Sequence, residues 1–179
     1  MEIDLRSLFD KSFSRFLAEE RQNVVDDVHE TNLCARLAGY LEHEARSIGL
    51  EGYYADTEYN RKQGGQLKTI INHKAEVISI RCDLILHSRG KQIKDDNLIA
   101  IEMKKSHHAE AEKNKDRARL YALTKQTYDD IWSNDGTTHP KHVCGYKLGI
   151  YIEFDARKSK VLLEEFRNGA SIFADFRDF

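Results

Sequence analysis

Residues 98–101, Leu-Ile-Ala-Ile, are four apolar residues in a row that run directly into Glu102, Met103, Lys104 and Lys105. A half-exposed strand alternates apolar and polar residues. An unbroken apolar run is what a strand covered on both faces requires. The run therefore predicts a strand over 97–106 in the middle of a sheet with helices packed on it. A chain of 179 residues, 40% of them hydrophobic, is long enough to bury one such core, so residues 1–179 read as a single domain. There is no internal repeat, and one proline, Pro140, leaves no Pro-rich linker to divide the chain.

The flanking segments supply the helices and the rest of the sheet. Leu5, Leu8, Phe9, Phe13, Phe16 and Leu17 fall at helical spacing over 4–20. Leu33, Leu37, Tyr40, Leu41 and Ala45 do the same over 28–48, with Gly49 as a natural stop. The period then changes. Residues 53–61 read as a strand before a Gly64-Gly65 loop, and residues 77–87 as a longer strand closed by the turn 88–97. Residues 108–127 have the composition of a helix, with a short extension into the polar loop that follows. Residues 144–154 and 160–166 read as a hairpin, whereas the ending from Asn168 to Phe179 fits neither period cleanly. The expectation is an α/β domain whose central mixed β-sheet, of about five strands, is flanked by helices.

Charge is balanced overall at −2 but unevenly placed. Residues 1–60 hold six Lys/Arg against thirteen Asp/Glu, residues 61–125 fifteen against eight, and residues 126–179 seven against nine. The middle third is a basic region in an otherwise acidic chain. Cys34, Cys82 and Cys144 are odd in number and lack CxxC spacing, as in a reduced intracellular protein. No charged-then-apolar leader and no membrane-length apolar run is present, so the expected setting is cytoplasmic with no membrane partner.

The chemistry sits where the apolar strands end. Residues two apart on a strand share a face, so Glu102 and Lys104 project together while Met103 turns into apolar packing. Asp83 interrupts an otherwise apolar segment, and pairing of its strand with 97–106 through the 88–97 turn brings Asp83 and Glu102 together. Two carboxylates that close repel and resist desolvation. A divalent cation relieves both costs, and oxygen donors are what Mg²⁺ prefers. A neighbouring lysine suits a phosphodiester substrate. The same groups can instead form a salt bridge at an exposed sheet end.

Asp83-x18-Glu102-Met103-Lys104 resembles the D…(D/E)-x-K motif of the restriction-endonuclease-like, or PD-(D/E)xK, nuclease superfamily, over roughly residues 28–154. Cys82 stands where that motif is usually written with proline. The resemblance implies a restriction-endonuclease-like fold and hydrolysis of DNA phosphodiester bonds with Mg²⁺, or Mn²⁺ as a substitute. Asp83, Glu102 and Lys104 would be catalytic. Asp83, Glu102 and the Met103 carbonyl would hold the metal, with Glu30 as an outer ligand. Lys105, Lys113, Lys115, Arg117 and Arg119 would meet DNA phosphates, and loops 61–76 and 128–143 would carry any sequence preference. Restriction, phage defence or repair would be the setting, and a homodimer the analogous assembly.

A second reading keeps the fold as a non-catalytic binding or assembly module. P-loop, G-x-S-x-G, HExxH, helix–turn–helix and zinc-finger patterns are missing. His139, His142 and Cys144 lack an evident fourth zinc ligand and read as an ordinary loop. His107 and His108 directly follow the motif strand, where exposed side chains are the simpler expectation.

Overall fold

A computed structural model describes residues 3–59, 81–126 and 144–179 in full, and the backbone of 69–71, 77–79, 127–128 and 132–133. Helix α1 (Leu5–Val25) begins at Asp4, whose side chain accepts the Ser7 amide at 3.0 Å and so satisfies one of the unpaired amides of the first turn. Leu5, Leu8, Phe9, Phe13 and Phe16 form its buried stripe. Helix α2 (Glu30–Ser47) buries Leu33, Leu37, Leu41 and Ala45. It stops where Gly49 adopts φ +85°, a conformation that favours glycine.

Three strands follow: β1 (Tyr54–Thr57), then β2 (Thr69–Ile71) and β3 (Val77–Ser79), which pair as a separate ribbon. Next come β4 (Leu84–His87), β5 (Asn97–Lys105) and helix α3 (Glu110–Thr124). A second ribbon, β6 (Thr127–Tyr128) with β7 (Trp132–Ser133), occupies part of the polar segment that the sequence assigns to a helical extension and loop. The chain ends with β8 (Leu148–Asp155), β9 (Lys160–Arg167) and β10 (Ala170–Asp178).

The main sheet has six strands in the order β1-β4-β5-β8-β9-β10. Its one parallel pair is β5 with β8, joined through α3; the other pairs are antiparallel. Among the described residues the fold is thus α/β, a mixed sheet with three helices. The sixth strand is the segment after Asn168. Asn168 and Gly169 both have positive φ, at 52° and 72°, and form the two-residue turn of a β9–β10 hairpin.

The two sheet faces carry different cores. α1 and α2 pack with Leu84, Leu86, Ile99, Ile101, Met103, Ile150 and Ile152. The α3 face packs Leu120 and Leu123 with Ile85, Ala100, Tyr151 and Phe166. Strand β5 lies inside the sheet, and its residues 98–103 are all buried, which is why its apolar run does not alternate.

One expected strand is shorter than its sequence. Residues 77–87 do not run as one element: β3 joins the separate ribbon, and β4 begins only at Leu84. The break falls at Asp83, whose Oδ2 accepts the Met103 amide at 2.9 Å in place of a ladder carbonyl. Among the described residues no helix is long and apolar enough to cross a membrane. Cys34, Cys82 and Cys144 are free thiols and buried.

Candidate active site

Leu84 pairs with Ile101, and one further step of the same antiparallel register sets Asp83 opposite Glu102. Both side chains therefore turn towards the α3 face, while Met103 turns the other way, its Sδ 3.8 Å from the Cys34 Sγ beneath α2. The geometry brings together the residues of the D…E-x-K pattern at one end of β4 and β5. Glu102 is fully buried, and the Met103 amide holds Asp83 beside it.

Neither carboxyl is comfortable as an anion. Burial pushes Glu102 well above the ordinary carboxylate range, and the neighbouring charge of Asp83 pushes the same way against the pull of Arg119. Burial also raises Asp83, although the Met103 amide and the Lys104 charge draw it back. Arg119 Nη1 stands 2.7 Å from Glu102 Oε1 but its N–H is not aligned on that oxygen. Both Glu102 oxygens are thus buried without an aligned hydrogen-bond donor among the described residues, an expensive state for a carboxylate.

Lys104 lies on the same face and is held by two acids. Its Nζ is 3.1 Å from Asp116 Oδ2 and 3.4 Å from Glu30 Oε2, with the Met103 carbonyl oxygen also at 3.4 Å. Burial works against its charge, but Asp116, Asp83 and Glu30 outweigh that and raise its pKa. Lys104 therefore stays an ammonium at neutral pH.

Glu30 opens α2 and reaches the end of β5, where its Oε1 accepts the Lys105 amide at 3.0 Å. Its placement beside Lys104 follows from the stripe it shares with Leu33 and Leu37. His108 Nε2 lies 3.6 Å from the same oxygen, and His107 is exposed. Lys105 turns to α2's approach, with Nζ 2.7 Å from the Asp27 carbonyl oxygen and 2.8 Å from its carboxylate.

The cations of α3 are mostly committed within the protein. Lys113 is buried, donating to the Ser106 carbonyl and to Glu153, each at 2.8 Å. Arg117 grips Glu164 with two nitrogens, at 2.7 and 3.0 Å, and lies over the Tyr151 ring. Arg119 serves Glu102 and Asp116. Lys115 is exposed to solvent. The proposed specificity loops 61–76 and 128–143 lie largely outside the described residues, as do His139 and His142; Cys144 is buried.

Asp116 is the residue that sequence reasoning missed. Its signal is positional: the apolar stripe Leu120 and Leu123, extended one and then two turns back along α3, lands on Asp116 and Lys113. An acid and a base on the buried face of a helix call for partners on the sheet, and Lys104 and Glu153 are those partners.

The donor set fits a hard divalent cation in kind. Two carboxylates and the Met103 carbonyl would offer oxygen donors, the kind that Mg²⁺ takes alongside waters. The buried Glu102 oxygens, lacking an aligned donor, are the structural observation in favour. Among the described residues no three His, Cys, Asp or Glu side chains already converge as a ready-made cage. No protein-family model, curated protein or solved structure matches the chain.

Proposed function

We propose that this protein is a Mg²⁺-dependent deoxyribonuclease of the restriction-endonuclease-like, PD-(D/E)xK class. The observation that carries the reading is the pairing of Asp83 with a fully buried Glu102 whose carboxylate oxygens lack an aligned donor, with Lys104 on the same face. Asp83, Glu102 and the Met103 carbonyl would hold the cation, which when bound supplies Lewis-acid stabilisation of the developing phosphoryl charge. Lys104 would orient the attacking water and offset charge on the phosphodiester in the transition state. Asp116 and Glu30 would keep that ammonium in place.

Supercoiled plasmid incubated with Mg²⁺, Mn²⁺ or EDTA tests the reading. Nicking with either metal and none with EDTA is expected. Asp83→Asn and Glu102→Gln should each lower the rate by at least about a hundredfold, and together by little more, because they act as one unit. Asn keeps an oxygen for the Met103 amide, so Asp83→Asn separates loss of the ligand charge from loss of the fold. Metal-independent nicking, or full activity in both variants, overturns the assignment.

A specific observation favours a second reading. Arg119 stands against Glu102 and Lys104 against Asp116, so the acids already have cationic neighbours. A non-catalytic module would use that network for structure alone, and its stability would not respond to Mg²⁺.

A further inference from the structure

Strand β10 forms one edge of the main sheet, and it is not built like a protected edge. Natural edges are blunted by charged side chains, lysine above all, by proline, by short length or by bulges. β10 is nine residues long and contains neither lysine nor proline. Its one irregularity is a bulge between Ser171 and Phe173, which leaves 173–178 as a regular run against β9. Large apolar side chains stand out on it: Phe176 is 70% exposed, Ile172 53% and Phe173 49%.

We propose that β10 pairs antiparallel with β10 of a second copy of this chain, around a two-fold axis at Phe176. The charges on the strand select that partner and that register. With Phe176 on the axis, Asp175 faces Arg177 of the second copy, and Arg177 faces its Asp175. The strand is therefore complementary to itself, as an isologous interface requires. Moving the axis to Asp175 or Arg177 would set like charges directly opposite each other, which destabilises a strand pair. Moving it to Ala174 would leave Arg177 opposite Ser171 with no charge match.

The same register stacks the exposed Phe176 on its copy, so that ring gains apolar contact. Asp175 and Arg177 already touch each other at 3.0 Å, and Arg177 also reaches Asp10 at 3.0 Å. Pairing would join these into one alternating network across the axis. The two main sheets would become continuous through the dimer. The interface uses none of the residues assigned to metal or DNA, so it stands or falls independently of the nuclease reading.

Sedimentation equilibrium of the full chain over a range of concentrations tests the proposal. A species of twice the 20.8 kDa monomer mass is expected. Phe176→Lys places two ammonium groups at the axis and should weaken dimerisation by about tenfold or more. Its melting temperature at low concentration, where both proteins are monomeric, should match the wild type because Phe176 is mostly exposed. The register is read by cysteine substitution, since the native thiols are buried. Under mild oxidation Phe176→Cys should give a covalent dimer, and Ala174→Cys, whose copy lies several residues away, should not. A wild type that stays monomeric at its highest soluble concentration overturns the proposal. So does a dimer that Phe176→Lys leaves intact, or one that cross-links through Ala174→Cys but not Phe176→Cys.

Discussion

Ionisation of Glu102 works against folding. Burial and the charge of Asp83 raise its carboxyl well above the ordinary range, so the folded chain holds that proton more tightly than the unfolded chain does. The contribution to stability is therefore present at low pH and is lost as pH rises from the ordinary carboxylate range through the raised folded value. Asp83 acts in the same sense, and the two titrate as a pair. Without metal, Glu102→Gln should melt at or above the wild-type temperature at neutral pH, and its advantage should shrink as pH falls towards about 4. Melting curves of both proteins across pH check this; a variant less stable than the wild type at pH 7 contradicts it. Lys104 has the opposite character. Its ammonium is held by Asp116 and Glu30, so Lys104→Met strips the buried Asp116 of one of its two cations and leaves it only the Arg119 that it shares with Glu102. A fully buried pair broken in this way costs about 3–5 kcal/mol, and partial exposure of Lys104 brings the expected loss to about 2 kcal/mol. Adding Asp116→Asn should recover most of it, and a double-mutant cycle by denaturant unfolding measures the coupling. Loss of nicking in Lys104→Met is informative only beside that control.

The junction of α3 with the sheet depends on Gly149. A Cβ at this position would lie 2.9 Å from Thr124 Cγ2 and 3.1 Å from Phe166 Cβ, Phe166 being its partner on β9. Gly149→Ala should cost about 1–3 kcal/mol by forcing α3 off β8. Thr124→Ser removes the obstructing methyl but keeps the hydroxyl that donates to the Leu120 carbonyl and accepts the Gly169 amide. The double variant should regain stability relative to Gly149→Ala alone, as read by chemical denaturation. Elements of this kind differed in how well the sequence announced them. The run at 98–101 located the central strand because only a doubly covered strand tolerates it. The turn at 88–97 was enough to bring Asp83 and Glu102 together, since a hairpin is local. β10 was obscure despite its Asn168-Gly169 turn, because an exposed edge lacks the apolar alternation that marks a half-buried strand. The cations of α3 looked like a phosphate-binding stripe because Glu153 and Glu164, which bind Lys113 and Arg117, arrive from strands some 40 residues later. Asp116 was hidden for a related reason: it matters only once α3 has crossed back over β5.

At the scale of the whole molecule, folding sets described cations of the basic middle third against acids from elsewhere in the chain. Lys105 meets Asp27, Lys113 meets Glu153, and Arg117 meets Glu164. Reversing all four α3 cations to Glu would therefore unfold the protein rather than report on DNA. Lys115→Glu is the cleaner probe: if its side chain meets a phosphate, the log–log salt slope of DNA binding should fall by about 0.9 with the melting temperature unchanged. An unchanged slope places the DNA elsewhere. Metal binding is the more decisive property, because it opposes the two readings of the same acids. A ligand that binds only the folded chain adds RT ln(1 + [L]/Kd), so about 10 mM Mg²⁺ against a Kd of about 1 mM contributes roughly 1.4 kcal/mol. In a chain of this length that raises the melting temperature by about 3–6 °C. Asp83→Asn retains the acceptor for the Met103 amide and removes one member of the repelling pair, so without metal it should melt at or above the wild type. It also removes a ligand, so its response to Mg²⁺ should vanish. A purely structural network requires the reverse: Asp83→Asn would weaken the charge balance around Lys104 and lower the melting temperature, while Mg²⁺ would leave the wild type unmoved. Four melting curves, two proteins with and without Mg²⁺, separate these outcomes, and a wild type blind to the metal beside a destabilised variant would rule out the nuclease assignment.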